Sequence, residues 1–175
     1  GVQTCALPIS EAEVSADDFA LFTKVKHQVA GFDVTLEEIG HLVIRGDRTY
    51  PDVLTTPTSL ADDLIQQHRL IFPGGLIDAR VNFAISFGAE GFPNMPRSAY
   101  QAEGINARLD ARTRAFINDE VIGSNHRGVS VLFQWFQRDF VLSAGSVRAF
   151  IQQYLNDPAR AVDPSRTLRY NWRVR

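Results

Sequence analysis

The sequence predicts an α+β fold, with a mainly helical C-terminal half packed on a small sheet. Three observations predict it. Short apolar runs bounded by turn residues cluster before residue 90, as strands do. Amphipathic stretches with helical spacing fill much of residues 102–155. The order strand, helix, loop, helix, strand and then helices lacks the regular alternation of a doubly wound parallel sheet.

Each element follows from local chemistry. Residues 11–24 are a lead-in, whose acidic part, 11–21, reads as a loose segment or a short helix. "FTKVKHQVAGFDV" alternates around Val25 and Val29 and continues with Phe32 and Val34, which predicts a hairpin arm turning at Ala30-Gly31. In "TLEEIGHLVIR", Thr35 and Glu38 form a capping box, so a helix starts at Thr35 with Leu36, Ile39, Leu42 and Val43 on one face. Gly40 inside that helix costs about 1 kcal/mol relative to alanine. "GDRTYPDVLTTPTS" is a loop by its Gly, Pro, Asp and Thr content. "SLADDLIQQHRLIF" predicts a helix capped by Ser59, with Leu60, Leu64 and His68 on one side, stopping before Pro73-Gly74-Gly75. "RVNFAISF" reads as a short buried strand, and "GAEGFPNMPRSAY" as a loop. A helix over "AEGINARLDARTRAFIN" presents Ala102, Ile105, Leu109 and Phe116. "VSVLFQWFQRDF" starts as a strand and turns helical, with Phe133, Phe136 and Phe140 inward. "SVRAFIQQYL" carries the full stripe Val147, Phe150, Ile151, Tyr154 and Leu155.

Composition narrows the function. The 175 residues carry 18 basic and 20 acidic side chains, a net charge of −2. That is no footprint for nucleic acid or an anionic membrane, and no apolar run is long enough to span a bilayer. No nucleic-acid partner and no membrane insertion are expected, while a protein or small-molecule ligand stays open. The only cysteine, Cys5, lies in "GVQTCALPIS". That stretch lacks the basic region and unbroken apolar core of a signal peptide. It resembles a translation of the common second-read sequencing adapter (GGA GTT CAG ACG TGT GCT CTT CCG ATC T), with nine residues in register. Residues 1–10 are therefore expected to be a foreign scar of a metagenomic fragment, ahead of a single truncated globular domain over residues 25–175. The native sequence is expected to begin near Glu11, with more of it upstream, which leaves a secreted or periplasmic origin open.

Without Cys5 the chain has no thiol nucleophile, disulfide framework or cysteine-based metal site. "FPGGL" lacks the spacing and lysine of a phosphate-binding loop, and no G-x-S-x-G elbow is present. His27, His41, His68 and His126 are scattered without ligand spacing, so neither a metal nor a cofactor is expected. The plain reading of each is a surface or satisfied core histidine. The spacing of Phe133, Trp135, Phe136 and Phe140 favours core packing over a ligand box. Arg138 and Asp139 read as a solvated helix end.

Five stretches, in order, carry one resemblance. "LEEIGHLVIR" resembles L-x-x-I-E-H-x-x-L-R, and "DARVNFAISFGAEGFPNM" resembles D-P-R-I-H-F-A-L-x-C-x-S-x-x-C-P-x-L. "AYQAEGINARLDARTRAFIND" resembles A-Y-T-x-E-N-L-D-x-Q-L-x-x-A-T-R-x-F-L-N. "VSVLFQWFQRDF" resembles L-S-x-I-F-x-W-Y-x-x-D-F, and "LRYNWRVR" the closing Y-D-W-x-L-N. From about Val25 to Trp172 the chain is thus similar to the bacterial branch of the domain-of-unknown-function 547 family. The family's cysteine-containing loop and Ile-Glu-His helix imply a thiol enzyme on a papain-like or transglutaminase-like scaffold, of which this chain would hold part. Such an enzyme needs a thiolate with a histidine beside it. Here the two cysteine positions hold Phe87 and Phe92, and the acidic position before His41 holds Gly40.

Gly40, His41, Phe87 and Phe92 are therefore expected to mark a degenerate site. The leading expectation is a non-catalytic member with a binding or structural role. The alternative is a hydrolase or acyl-transferase using His41, with Ser86 or a residue from the missing N-terminal part as nucleophile. A third is an interaction domain docking through exposed phenylalanine and tryptophan.

Overall fold

The computed structural model describes residues 20–29, 31–47, 56–71, 77–86, 88–171 and 173. Residues 1–10, Phe87, Pro73-Gly74-Gly75 and Trp172 lie outside the described residues. The chain divides between Ile77 and Asp78 into two compact units. The fold is α+β: among the described residues, helices are accompanied by two separate two-stranded antiparallel sheets.

The first unit opens with helix α1 (Ala20–Thr23) and the hairpin of β1 (His27–Val29) and β2 (Phe32–Val34). The strands pair in the register His27 with Val34 and Val29 with Phe32. Gly31, at φ 88°, takes the left-handed turn that a side chain would resist. The capping box at Thr35 forms as the sequence requires. The Thr35 hydroxyl accepts from the Glu38 amide at 3.1 Å, and Glu38 accepts from the Thr35 amide at 2.8 Å. A cap of this kind contributes about 1 kcal/mol.

Helix α2 (Leu36–Glu38) runs straight into a π-helical segment, Ile39–Ile44, sealed by the Arg45 amide on Gly40 O at 3.2 Å. Helix α3 (Thr58–Ile71) packs against it. Ser59 is exposed in the first turn of α3, and Pro57 O accepts the Ala61 amide, so the helix begins ahead of the expected cap. Val34, Leu42, Ala61 and Leu64 form the core, ringed by Phe32, Ile39, Val43, Leu60 and Ile65.

The second unit begins with a correction. Residues Ala79–Phe83 form a 3₁₀ helix, where a strand was expected. The Asp78 carboxylate accepts the Arg80 amide at 3.0 Å and caps the turn. Ala79, Val81, Asn82 and Phe83 are all buried, so the apolar run reflects burial on several sides of a helical turn.

Helix α4 (Ile105–Ile117) follows Gly104, which is left-handed at φ 70°. Its buried face is Leu109, Thr113, Phe116 and Ile117. Ala102 is exposed ahead of the helix, because the chain turns at Gly104 before the stripe begins. Strands β3 (Ser124–Asn125) and β4 (Gly128–Val129) form a minimal hairpin. Helices α5 (Leu132–Trp135), α6 (Gln137–Ala144) and α7 (Val147–Tyr154) complete the bundle, and Ser146 caps α7 through the Ala149 amide at 3.0 Å.

The core of this unit is aromatic, as the helical spacing predicted. Phe83 is its hub, with ring centroids 5.2 Å from Phe116, 5.7 Å from Phe133, 5.8 Å from Phe140 and 6.2 Å from Phe150. Such pairs add about 0.5–1.5 kcal/mol beyond the area they bury. Among the described residues no phenylalanine is exposed.

A strap, residues 166–171 with Arg173, closes the unit. It pairs on one side with Val129 (Val129 N to Arg166 O 2.9 Å, Leu168 N to Val129 O 2.8 Å). On the other it meets the 90s loop (Gly91 N to Asn171 O 2.9 Å, Glu90 N to Arg173 O 2.7 Å).

Candidate functional site

The expected site residues fall in both units. In the first, His41 sits on the π segment and is 3% exposed. Its partners lie one turn to each side. Glu37 Oε2 approaches Nε2 at 2.9 Å, off the line of a hydrogen bond, and Arg45 Nη1 lies 2.7 Å from Nδ1. A guanidinium only donates, so Nδ1 accepts and the ring proton sits on Nε2, facing Glu37. Arg45 Nη2 continues to Asp47 Oδ2 at 3.4 Å. All four groups are buried. His41 thus has a charged group beside each ring nitrogen, as a satisfied core histidine does. The signal was present in the sequence as Glu37, His41 and Arg45 at i, i+4 and i+8.

Beside this row, Glu38 gathers the Thr35 amide, the Thr56 hydroxyl (3.0 Å) and the Lys26 ammonium (3.2 Å). Burial pushes its carboxyl up. The Thr35, Thr56 and Lys26 contacts outweigh burial and hold the carboxyl below its ordinary value. His68 is also buried and donates from Nδ1 to Val43 O at 3.0 Å. It lies against Gly46, where a Cβ would meet its ring at 2.5 Å. Gly40 has open space around its Cα.

In the second unit, Phe92 is 4% exposed. Its ring lies 6.5 Å from Trp135 and edge-on to Tyr170 at 6.1 Å, while Trp135 and Tyr170 are 5.2 Å apart. Tyr170 arrives on the strap. Ser86 is half-buried, and its hydroxyl accepts the Gly88 amide at 3.3 Å, a local turn contact.

Sequence reasoning missed one constellation. Asp139 is fully buried, contrary to the expected solvated helix end, and Asn82 donates to its Oδ2 at 2.9 Å and to Ala79 O at 3.2 Å. Arg138 does face solvent. Helix α6 turns Asp139 onto the 3₁₀ segment, 57 residues away in sequence.

Nearby, Arg80 forks onto Asp78 (2.6–3.1 Å) and reaches Asp110 (2.8 Å) and Asn106 (2.8 Å). Tyr154 donates to the same Asp110 at 3.3 Å. Burial and then the Asp110 charge push that phenol above its usual value. Among the described residues no three His, Cys, Asp or Glu side chains converge as a metal site. No helix is long and apolar enough to cross a membrane.

The α+β architecture and these positions define a domain of a family known by its sequence pattern. Residues 4–117 match the family described as "Protein of unknown function, DUF547", and the chain belongs to that family. No curated protein and no solved structure matches the chain. The stretches around Trp135 and Tyr170 lie beyond the matched span.

Proposed function

We propose that this chain is a non-catalytic member of its family with a binding or structural role. The observation that carries the reading is Phe92. At the second cysteine position of the motif stands a buried ring packed on Trp135 and Tyr170, which cannot ionise or attack. The other cysteine position, Phe87, holds the same kind of side chain. The Arg45 contact to Nδ1 adds support, because it occupies the ring lone pair that a base would use.

The alternative, a hydrolase or acyl-transferase on a partial papain-like or transglutaminase-like scaffold, draws on the same His41–Glu37 contact, since a carboxylate beside a histidine also serves acid–base catalysis. An ester-hydrolysis assay with p-nitrophenyl acetate separates the two readings, together with intact-mass detection of fluorophosphonate adducts. The non-catalytic reading expects the chain, Ser86→Ala and His41→Gln to match the uncatalysed rate with no adduct. A rate or adduct lost in either variant overturns it.

A further inference from the structure

The strap is bound in the manner of a peptide ligand. It makes main-chain hydrogen bonds on both edges and inserts one aromatic anchor, the combination by which extended peptides are recognised at strand edges. Val129 pairs with Arg166 and Leu168 on one side, and the Glu90 and Gly91 amides donate to Arg173 and Asn171 on the other. Tyr170 packs on Trp135 and Phe92. The groove is shaped for this occupant. A Cβ on Gly91 would meet the Tyr170 ring at 2.8 Å and the Asn171 amide nitrogen at 3.0 Å. Asn171 Nδ2 also donates to Glu90 Oε2 at 2.5 Å. The strap fills the groove almost completely. A gap of about 10 Å³, no more than a water's worth of space, remains beside Leu168 and Tyr170, lined also by Gly91, Ile122, Ser130 and Val131.

We propose that the groove between Glu90–Phe92 and Val129 is a peptide-binding site whose second occupant is the strap of another copy of this chain, exchanged for its own. A second copy brings the identical backbone ladder, the identical Tyr170 anchor and the identical fit over Gly91, so each closed contact is recovered in the pair. Charge favours the encounter. Residues 165–175 hold four arginines and no acid, which leaves 14 basic against 20 acidic residues, net −6, in the other 164. A basic segment and an acidic body on each copy attract across two molecules.

Crosslinking tests the exchange on the full chain. One chain carries Cys5→Ser and Glu90→Cys. A second, enlarged by a tag, carries Cys5→Ser and Asn171→Cys. They are incubated together under native conditions and treated with a short bis-maleimide. The chain carrying Cys5→Ser, Glu90→Cys and Asn171→Cys reports the groove when filled within one copy. Exchange expects an adduct between the two different chains. The fraction of chain in that adduct rises about tenfold for a tenfold rise in concentration while dimers are scarce. It disappears when Gly91→Ala is added to the Glu90→Cys chain. Three results overturn the proposal: adducts confined to single molecules at every concentration, adducts between chains carrying the same substitution, or a mixed adduct indifferent to Gly91→Ala.

Discussion

Asn82→Ala tests the buried pair that joins the 3₁₀ segment to helix α6. Asn82 is 2% exposed and Asp139 has no exposed surface. The substitution removes an amide that donates to the Asp139 carboxylate at 2.9 Å and to Ala79 O at 3.2 Å. A hydrogen bond to a charged group contributes about 1.5–3 kcal/mol. Bulk water does not reach this one, because Asp139 has no exposed surface. The expected loss is therefore about 2–3 kcal/mol. In a unit of roughly 100 residues each kcal/mol moves Tm by about 4–8 °C, so the midpoint should fall by at least about 8 °C. Urea unfolding followed by tryptophan fluorescence reads the change, since Trp135 lies in this unit. Asp139→Ala and the double variant complete a cycle, with an expected coupling of about 1.5–3 kcal/mol. A coupling below about 0.5 kcal/mol would refute the reasoning and leave Asn82 as packing alone.

Two further outcomes are expected. Glu38 has a folded pKa below its unfolded value, so its stabilisation is fully present above the unfolded value near 4.5 and is lost as pH falls through the folded value. Acid unfolding of the first unit, followed by amide exchange of the Val34–Leu42 segment, should begin at higher pH in the parent chain than its other carboxylates dictate, and Glu38→Gln should flatten that portion of the profile. Gly123→Ala would place a Cβ 1.8 Å from Phe116 O, so the α4–β3 turn must move. The loss should be at least about 1–3 kcal/mol in thermal unfolding, and an unchanged Tm would contradict the close approach.

What the sequence disclosed was local. The capping box at Thr35, the turn at Gly31 and the α7 stripe each depend on residues within a few positions, and all three form. The Ala79–Phe83 segment misled because Val81 and Phe83, apolar at alternate positions, suit a strand and a short helix equally. The deciding contact, Asp78 to the Arg80 amide, is a side-chain cap with no β-partner to compete against it. Asp139 misled for the opposite reason. A charged residue next to an arginine on a helix reads as solvated until its partner is known, and Asn82 lies 57 residues away. The His41 row stood between these cases. Its spacing was visible, but its meaning depended on the helix being placed and on burial that no local pattern reports.

The π segment gives the first unit a spare residue. On an ideal α-helix, positions four apart drift by about 40°, so Arg45 would stand about 80° around the axis from Glu37. A π turn takes up one more residue per closed ring, as the Arg45 amide on Gly40 O records. In the terms of insertion and deletion, the helix carries slack at Ile39–Ile44. Loss of Gly40, whose Cα faces open space, would return the ladder to α geometry with residues from His41 onward kept in place. The helix can thus change length by one residue here without re-aiming Leu42 at the core.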